Sequence, residues 1–243
     1  MSRSPKDSSA PWKIVPQGDR GALLIFGDEI NIKIGQQCTR AAAALRAANI
    51  KGISDIVPTF NSVALHYQPM LLGASTGFRQ LAGEIDNVLA NAFDQDAPPA
   101  PSRQIDIPVC YGGAYGPDLA SVAEHCRLSQ DEVIELHSHN PAYVFMLGFA
   151  PGAPYIGMHD EKLAIGRRST PRTDVPAGSV AIANLQTMIY PNTSPGGWHI
   201  IGATPLVLFD PFQEPPTLLS PDDTVRFVPI SADQFVALRG QRT

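Results

Sequence analysis

The stretch DQDAPPAPSRQ, from Asp94 to Gln104, divides the sequence into two parts with different patterns. It is rich in proline and polar residues and has no apolar period, which is typical of a linker. A chain of 243 residues is long enough for two globular domains. We therefore expect one domain over residues 1–93, a linker over 94–104 and a second domain over 105–243.

Before this stretch, helical and strand patterns alternate. Apolar residues recur at helical spacing over Asn31 to Asn49 and again over roughly Ser75 to Phe93. Strands are predicted at Leu23 to Phe26, Ile53 to Val57 and Ser62 to Tyr67. These elements predict a small α+β domain with a half-buried sheet.

After the stretch, short apolar runs are separated by glycine and proline. Such runs are typical of a β-barrel or a β-sandwich. The longest apolar region, Ala142 to Met158, is predicted to be a buried strand followed by a rigid turn. The later predicted strands are Ser179 to Ala183, Thr187 to Tyr190, His199 to Gly202, Leu206 to Phe209 and Val225 to Val228.

Two short helices precede these strands, the second opened by an S-x-x-E capping box at Ser129 and Glu132. The pair resembles a helix-turn-helix, but Asp131 and Glu135 would repel phosphates. The formal net charge of -5 also gives no electrostatic reason to approach nucleic acid or an anionic membrane. We predict neither as a partner.

The remaining composition favours a cytoplasmic protein. Three widely spaced cysteines form no pair typical of a disulfide framework or a zinc site. The first residues, MSRSPKDSSAPW, lack the apolar region of a signal peptide. His137 and His139 form an isolated H-x-H at a helix end, which fits a solvated terminus better than a metal site, so we predict no metal. The sequence also shows no glycine-rich phosphate loop.

A basic segment is the first candidate site. Lys162, Arg167, Arg168 and Arg172 are opposed within the segment by a single acid, Asp174. Arginines on a rigid loop suit a small acidic ligand because guanidinium groups bind carboxylate or phosphate in a bidentate manner. A solvated basic loop explains the same residues equally well.

Polar residues on the following strands are the second candidate. Gln186 and Tyr190 stand among apolar residues, where polar side chains are costly unless they bond within the fold or to a ligand. Gly197 belongs to a turn that leads to His199. That histidine is either a packing residue or an acid or base near neutral pH.

Several motifs resemble one known family. It contains the B-type component of 5-oxoprolinase, the sporulation histidine-kinase inhibitor KipI and allophanate hydrolase subunit 1, and is built from carboxyltransferase subdomains C and D. The motifs are GDRGALLIFGDEI (18–30), YGGAYGPDL (111–119), YVFMLGFAPGAPYIG (143–157), RRSTPRTDVPAGSVAIA (167–183), QTMIYPNTSPGGWHIIGATP (186–205) and LFDP (208–211).

The resemblance implies an α+β fold with a small N-terminal α/β sandwich domain and a C-terminal cyclophilin-like β-barrel. It implies a heteromeric, ATP-dependent 5-oxoprolinase that hydrolyses 5-oxoproline to glutamate, with this chain as its B subunit, which is inactive when isolated. The partners would be a carboxyltransferase-like C subunit together with an A subunit. Inhibition of a sensor histidine kinase and a role in an allophanate hydrolase or urea carboxylase system stay open as alternatives.

With the resemblance, the candidate residues become a hypothesis about the site. Arg172 is predicted to hold a substrate carboxylate or phosphoryl oxygen, so that Arg172→Ala abolishes turnover and changes the melting temperature by only a few degrees. Leu185, Met188 and His199 depart from the family pattern, since members more often carry Gln at the last position. The predicted catalytic residues are Arg172, Gln186 and His199, and the predicted substrate-binding residues are Arg167, Arg168, Thr170, Tyr190 and Gly197.

Overall fold

A computed structural model describes residues 10–72, 77–94 and 102–240 of the chain. The chain divides into two compact units, Met1–Pro101 and Ser102–Thr243. This division falls inside the predicted linker 94–104, of which residues 95–101 lie outside the described residues. Most of the N-terminal stretch that argued against a signal peptide also lies outside them.

The first unit is a four-stranded antiparallel sheet covered by two helices. Its elements are β1 (Lys13–Gln17), β2 (Gly21–Ile25), α1 (Ile32–Ala48), β3 (Ile53–Pro58), β4 (Ser62–Tyr67) and α2 (Gly77–Asp94). The strand order in the sheet is β1-β2-β4-β3. The predicted strands and helices of this unit are confirmed, although Ser75, where α2 was expected to begin, lies outside the described residues. Strand β1 was not predicted because its residues are mostly exposed.

Local signals explain where α1 begins and ends. The Asn31 side chain accepts a hydrogen bond from the backbone N–H of Ile34 at 2.9 Å, which caps the helix. Asn49 then adopts a left-handed conformation with φ of 45°, a common way to end a helix. The helix buries Cys38 and Leu45 in the core of this unit, and α2 adds Leu81, Ile85 and Leu89.

The strands of the second unit are β5 (Gln104–Tyr111), β6 (Ala142–Leu147), β7 (Pro154–Gly157), β8 (Arg172–Val175), β9 (Ser179–Ala183), β10 (Gln186–Ile189), β11 (Ser194–Gly196), β12 (His199–Ala203) and β13 (Thr224–Pro229). Seven of them form a closed barrel in the order β10-β7-β6-β13-β5-β12-β9, with β9 and β10 paired to complete it. The strands β8 and β11 form a separate antiparallel ribbon.

Three helices accompany the barrel: α3 (Leu119–Cys126), α4 (Gln130–Ser138) and α5 (Ala232–Gly240). The predicted capping box is confirmed, since the side chain of Ser129 accepts from the N–H of Glu132 and that of Glu132 accepts from the N–H of Ser129. The inner faces of α3 and α4 pack on β9 and β12 through apolar side chains. No helix within 10–72, 77–94 or 102–240 has the length and apolar character needed to cross a membrane.

The predicted strand Leu206 to Phe209 is wrong, because only a single bridge joins Phe209 to Thr217 there. Its apolar residues do reach the barrel core, since Leu208 is 1% exposed. The backbone, however, bonds locally rather than to a neighbouring strand. The N–H of Leu206 donates to the Thr204 hydroxyl, and the N–H of Leu218 donates to the Leu208 carbonyl.

Side chains alternate across β9 and β10 and so separate two apolar clusters. One side, including Val180 and Ile189, fills the barrel interior. The other side, including Met188, packs with Tyr190 and Trp198 in a second cluster that also contains Val175 at the end of the ribbon. The predicted α+β fold with a β-barrel is confirmed, since seven strands close into a barrel. Of the polar candidates, Tyr190 belongs to the second cluster, beside the ribbon residue Gly196.

Candidate functional site

Asp118 gathers two arginines of the basic segment around one carboxylate that is 6% exposed. Arg172 donates from Nη1 to Oδ2 and from Nη2 to Oδ1, each at 2.8 Å. Arg168 donates from Nη1 to Oδ1 at 2.9 Å, and the backbone N–H of Ile200 donates to Oδ2 at 2.7 Å. We call these four residues the Asp118 cluster.

The turn before α3 brings Asp118 into this position. A Cβ at Gly116 would lie 2.0 Å from the carbonyl oxygen of Ile201, so a residue with a side chain would push the turn away from β12. With glycine, the N–H of Asp118 reaches the Ile200 carbonyl at 2.9 Å. The YGGAYGPDL motif therefore attaches the start of α3 to the barrel.

Electrostatics favours the ionised form of this carboxyl. Burial alone would raise the pKa of Asp118, but the hydrogen bonds from Arg172 and the Ile200 amide outweigh it and hold the pKa below its usual value. The hydrogen bond to Asp118 in turn raises the pKa of the Arg172 guanidinium. The sequence-based charge count omitted this acid, so Arg168 and Arg172 carry less uncompensated charge than the basic segment indicated.

Two polar atoms next to this cluster have unmet hydrogen-bonding capacity. Nε of Arg168 and Nδ1 of His199 are buried and have no hydrogen-bond partner among the described residues. His199 Nε2 donates to the Gly166 carbonyl at 3.1 Å, which makes Nδ1 the acceptor of a neutral ring. Burial lowers the pKa of His199 and favours that neutral form.

A small aromatic cavity of about 90 Å³ lies on the outer surface of the second unit, on the face that carries the ribbon. We call it the Arg167 cavity; its walls include Phe149, Tyr155, Tyr190 and Trp198. The rings of Tyr155 and Trp198 meet edge to face at 6.0 Å between centroids. Arg167 is exposed and forms no ion pair within 4.0 Å in the part of the chain that the structure describes. Its charge is thus available to an anionic ligand.

Gly196→Ala tests how tightly this cavity is built. A Cβ at Gly196 would lie 2.2 Å from the Tyr190 hydroxyl and 2.7 Å from Cζ, so the buried ring would have to move. Overpacking of this kind typically costs about 1–3 kcal/mol, which urea denaturation of the variant will measure. Gly166→Ala is the matched control, because nothing lies within 4 Å of its added Cβ. Equal stability of the two variants would contradict the described packing.

The predicted site residues divide into three groups in the structure. Arg167, Tyr190 and Gly197 line the Arg167 cavity. Arg168, Arg172 and His199 belong to or adjoin the Asp118 cluster. Gln186, on β10, is 8% exposed and pairs with Gly157 of β7. Thr170 is exposed on the loop before β8. The proposed roles of these residues stay predictions.

The interpretation of His137 as a solvated helix end was wrong. His137 is 1% exposed, and its ring nitrogens bond to the hydroxyls of Tyr111 and Thr187. It points to the barrel because it follows Val133 on the inner face of α4. His139 remains exposed. Among residues 10–72, 77–94 and 102–240, no three His, Cys, Asp or Glu side chains are grouped so that they could hold a metal ion.

Comparison with known proteins places these features in a family. A family model described as carboxyltransferase domain, subdomain C and D, matches residues 12–219. A Bacillus subtilis (strain 168) protein, named as the B subunit of 5-oxoprolinase, is 40% identical over 235 residues, which are 94% of this chain and 97% of that protein.

Solved structures share the fold. The crystal structure of TTHA0988 has 34% identity and a TM-score of 0.75 over 88% of this chain, but the match spans only 40% of that longer chain. The Kluyveromyces lactis urea amidolyase has a TM-score of 0.74 over 96% of this chain and 16% of its own, and its 18% identity supports a likeness of fold alone. The family model matches most of the chain, and the Bacillus subtilis protein is similar over nearly its whole length. This chain therefore belongs to the family of carboxyltransferase-domain proteins with subdomains C and D.

Proposed function

We propose that this chain is the B subunit of an ATP-dependent 5-oxoprolinase that opens the lactam of 5-oxo-L-proline to give L-glutamate. The full-length similarity to a protein named as the B subunit of 5-oxoprolinase supports the proposal. The observation that carries it is the uncompensated guanidinium of Arg167 at a cavity walled by aromatic rings. This combination suits a small ring that bears a carboxylate.

In this proposal Arg167 binds the substrate carboxylate, because a guanidinium and a carboxylate form charge-assisted hydrogen bonds. The rings of Tyr190 and Trp198 pack against the apolar part of the lactam and exclude water from it. Burial raises the pKa of Tyr190, so its hydroxyl stays protonated at neutral pH, and the hydroxyl accepts a hydrogen bond from the backbone N–H of Trp198. It can orient a substrate by hydrogen bonding but does not serve as a base.

The partners are proposed because the Arg167 cavity does not contain the groups needed for hydrolysis. None of the residues that line it carries a carboxylate or an imidazole that could activate water. The overall reaction consumes the lactam, water and ATP and releases glutamate, ADP and phosphate. We propose that a carboxyltransferase-like C subunit together with an A subunit supplies the missing groups and that ATP is consumed only by the assembled complex.

Copurification with the two presumed partner proteins tests this function. The complex is expected to release ADP and glutamate in equal amounts when 5-oxoproline is added, and the isolated chain is expected to release neither. Coupled ADP detection and chromatography of glutamate measure the two products. Turnover by the isolated chain, or a stable assembly of the three proteins that ignores 5-oxoproline, would overturn the proposal.

Two alternatives have their own test. A sensor histidine kinase that loses autophosphorylation when this chain is added would favour the inhibitor function. Bicarbonate- and urea-dependent ADP release by a complex with a biotin-dependent partner would favour the urea carboxylase system. The purified chain and complex of the first experiment serve for both assays.

A further inference from the structure

Four side chains, of which His137 and Thr187 are buried and Tyr111 and His159 are half-buried, form a continuous hydrogen-bonded series between the barrel and the surface. The Tyr111 hydroxyl lies 2.7 Å from His137 Nδ1, and His137 Nε2 lies 2.9 Å from the Thr187 hydroxyl. His159 Nε2 lies 2.5 Å from the same hydroxyl. Phe227 packs against the His137 ring at 4.3 Å between centroids. None of these four polar residues has a role in the proposed 5-oxoprolinase site.

In this hydrogen-bonded series, one assignment of the protons gives every donor an acceptor. If Tyr111 donates to His137 Nδ1, then His137 donates from Nε2 to Thr187, and Thr187 donates to His159 Nε2. The opposite direction would leave the hydroxyl proton of the half-buried Tyr111 without an acceptor among the described residues, which is costly. Burial also lowers the pKa of His159 to about 4, so its ring is neutral at pH 7. Nδ1 of His159 therefore carries the remaining proton.

His159 lines a cavity of about 320 Å³ between the end of α4 and the turn after β7. We call it the His159 cavity. Nδ1 of His159 forms no hydrogen bond among the described residues and is not one of the fully buried atoms that lack a partner, so it keeps some exposure. Because His159 is a lining residue of this cavity, we assign that exposure to it. A volume of this size falls at the lower end of the range for small-molecule sites, about 300–1,000 Å³.

The other lining residues limit the chemistry of a ligand. The lining contains no arginine or lysine. It includes a second imidazole, that of His139, and the Asp160 carboxylate, which disfavours an anion. Asn140 and Asp160 offer oxygen acceptors for a ligand N–H, while Leu136 and Met158 offer apolar surface. A ligand that accepts from His159 and donates to a side-chain oxygen has both a carbonyl and an N–H group.

We infer that the His159 cavity binds a small uncharged amide, lactam or urea, whose carbonyl oxygen accepts a hydrogen bond from Nδ1–H of His159. The hydrogen-bonded series through Thr187 and His137 to Tyr111 is the positioning device that holds His159 in the donating tautomer. This site is separate from the Arg167 cavity, and the inference does not depend on the proposed 5-oxoprolinase function.

Nitrogen-15 NMR of the histidine rings in the full chain tests the tautomer without any ligand. The expected spectrum at pH 7 shows His159 protonated at Nδ1 and His137 protonated at Nε2, with His159→Gln used to assign the signals. Protonation of His159 at Nε2 would overturn the inference. The experiment uses the unmodified protein for this comparison, so it does not depend on whether a Thr187 variant folds.

Titration with 2-pyrrolidinone then tests the ligand class. Saturable shifts of the His159 ring signals are expected, with 5-oxoproline binding at least tenfold more weakly because its carboxylate faces Asp160. Thr187→Val should weaken 2-pyrrolidinone about fivefold to tenfold, as expected for the loss of about one hydrogen bond, while Thr187→Ser should stay within twofold. No shift with 2-pyrrolidinone, or equal binding to the Val and Ser variants, would overturn the site. Both outcomes leave the enzymatic assay of the complex unaffected, so the two proposals fail independently.

Discussion

Asp118→Ala is expected to lower the free energy of unfolding by about 3–5 kcal/mol, because removing one partner of a buried ion pair leaves the other charges uncompensated. The variant loses all four hydrogen bonds to the carboxylate, including the one from the Ile200 N–H. In a chain of this length the melting temperature is expected to fall by about 10 °C. Urea denaturation and differential scanning calorimetry will measure both quantities.

Asp174→Ala is the matched control for this effect. Asp174 is an exposed acid on β8, two residues after Arg172, and no ion pair within 4.0 Å is found for it among the described residues. Its replacement should change stability by less than about 0.5 kcal/mol. If Asp118→Ala were as mild as its control, the Asp118 cluster would not hold the ribbon to the barrel.

The same contacts revise the expectation for Arg172→Ala. The sequence alone predicted lost turnover with a change of a few degrees in melting temperature. In the structure Arg172 supplies two of the four hydrogen bonds to Asp118. We now expect a clear loss of stability, so lost turnover in this variant would not by itself assign Arg172 to the substrate.

Arg167→Ala is expected to raise the KM for 5-oxoproline about 10-fold to 100-fold in the assembled complex. A hydrogen bond to a charged group is worth about 1.5–3 kcal/mol, which corresponds to that range. Stability should change little because the side chain is exposed and forms no ion pair in the described part of the chain. Steady-state kinetics across 5-oxoproline concentrations will give KM and kcat separately.

Two variants complete that experiment. Arg239→Ala removes an exposed arginine from α5 and should leave KM unchanged. Arg167→Lys keeps the charge but loses the planar pair of donors, so it should recover part of the affinity. An unchanged KM in Arg167→Ala would remove Arg167 from substrate binding, while the place of this chain in the complex would still be decided by the copurification test.

The sequence predicted those elements whose signals are local. The capping box at Ser129, the helical period of α1 and the alternation in β4 each depend on residues a few positions apart. Such patterns follow from the geometry of a single helix or strand. For the same reason the strand predicted at Leu206 was wrong. An apolar run indicates burial, but it does not indicate whether the backbone pairs with a neighbouring strand.

The candidate site was only partly predictable because its decisive contacts are remote in sequence. Asp118 lies 50 residues from Arg168 and 54 from Arg172, and no periodicity links them. The signal that could have found Asp118 is the glycine-rich turn before it, which indicates a close backbone approach. Burial of His137 was missed because Thr187, its partner, is 50 residues away.

The parallel pairing of β5 with β13 joins the first and last strands of the barrel, and Arg226 on β13 forms an ion pair with Asp106 on β5 across 120 residues of chain. Strand β6 also pairs with β13. During translation, a nascent chain that has not yet released β13 from the ribosome therefore has two strands with unsatisfied edges. Contacts this distant in sequence form slowly. The barrel therefore closes only after its last strand has been synthesised, because β5 and β6 both pair with β13.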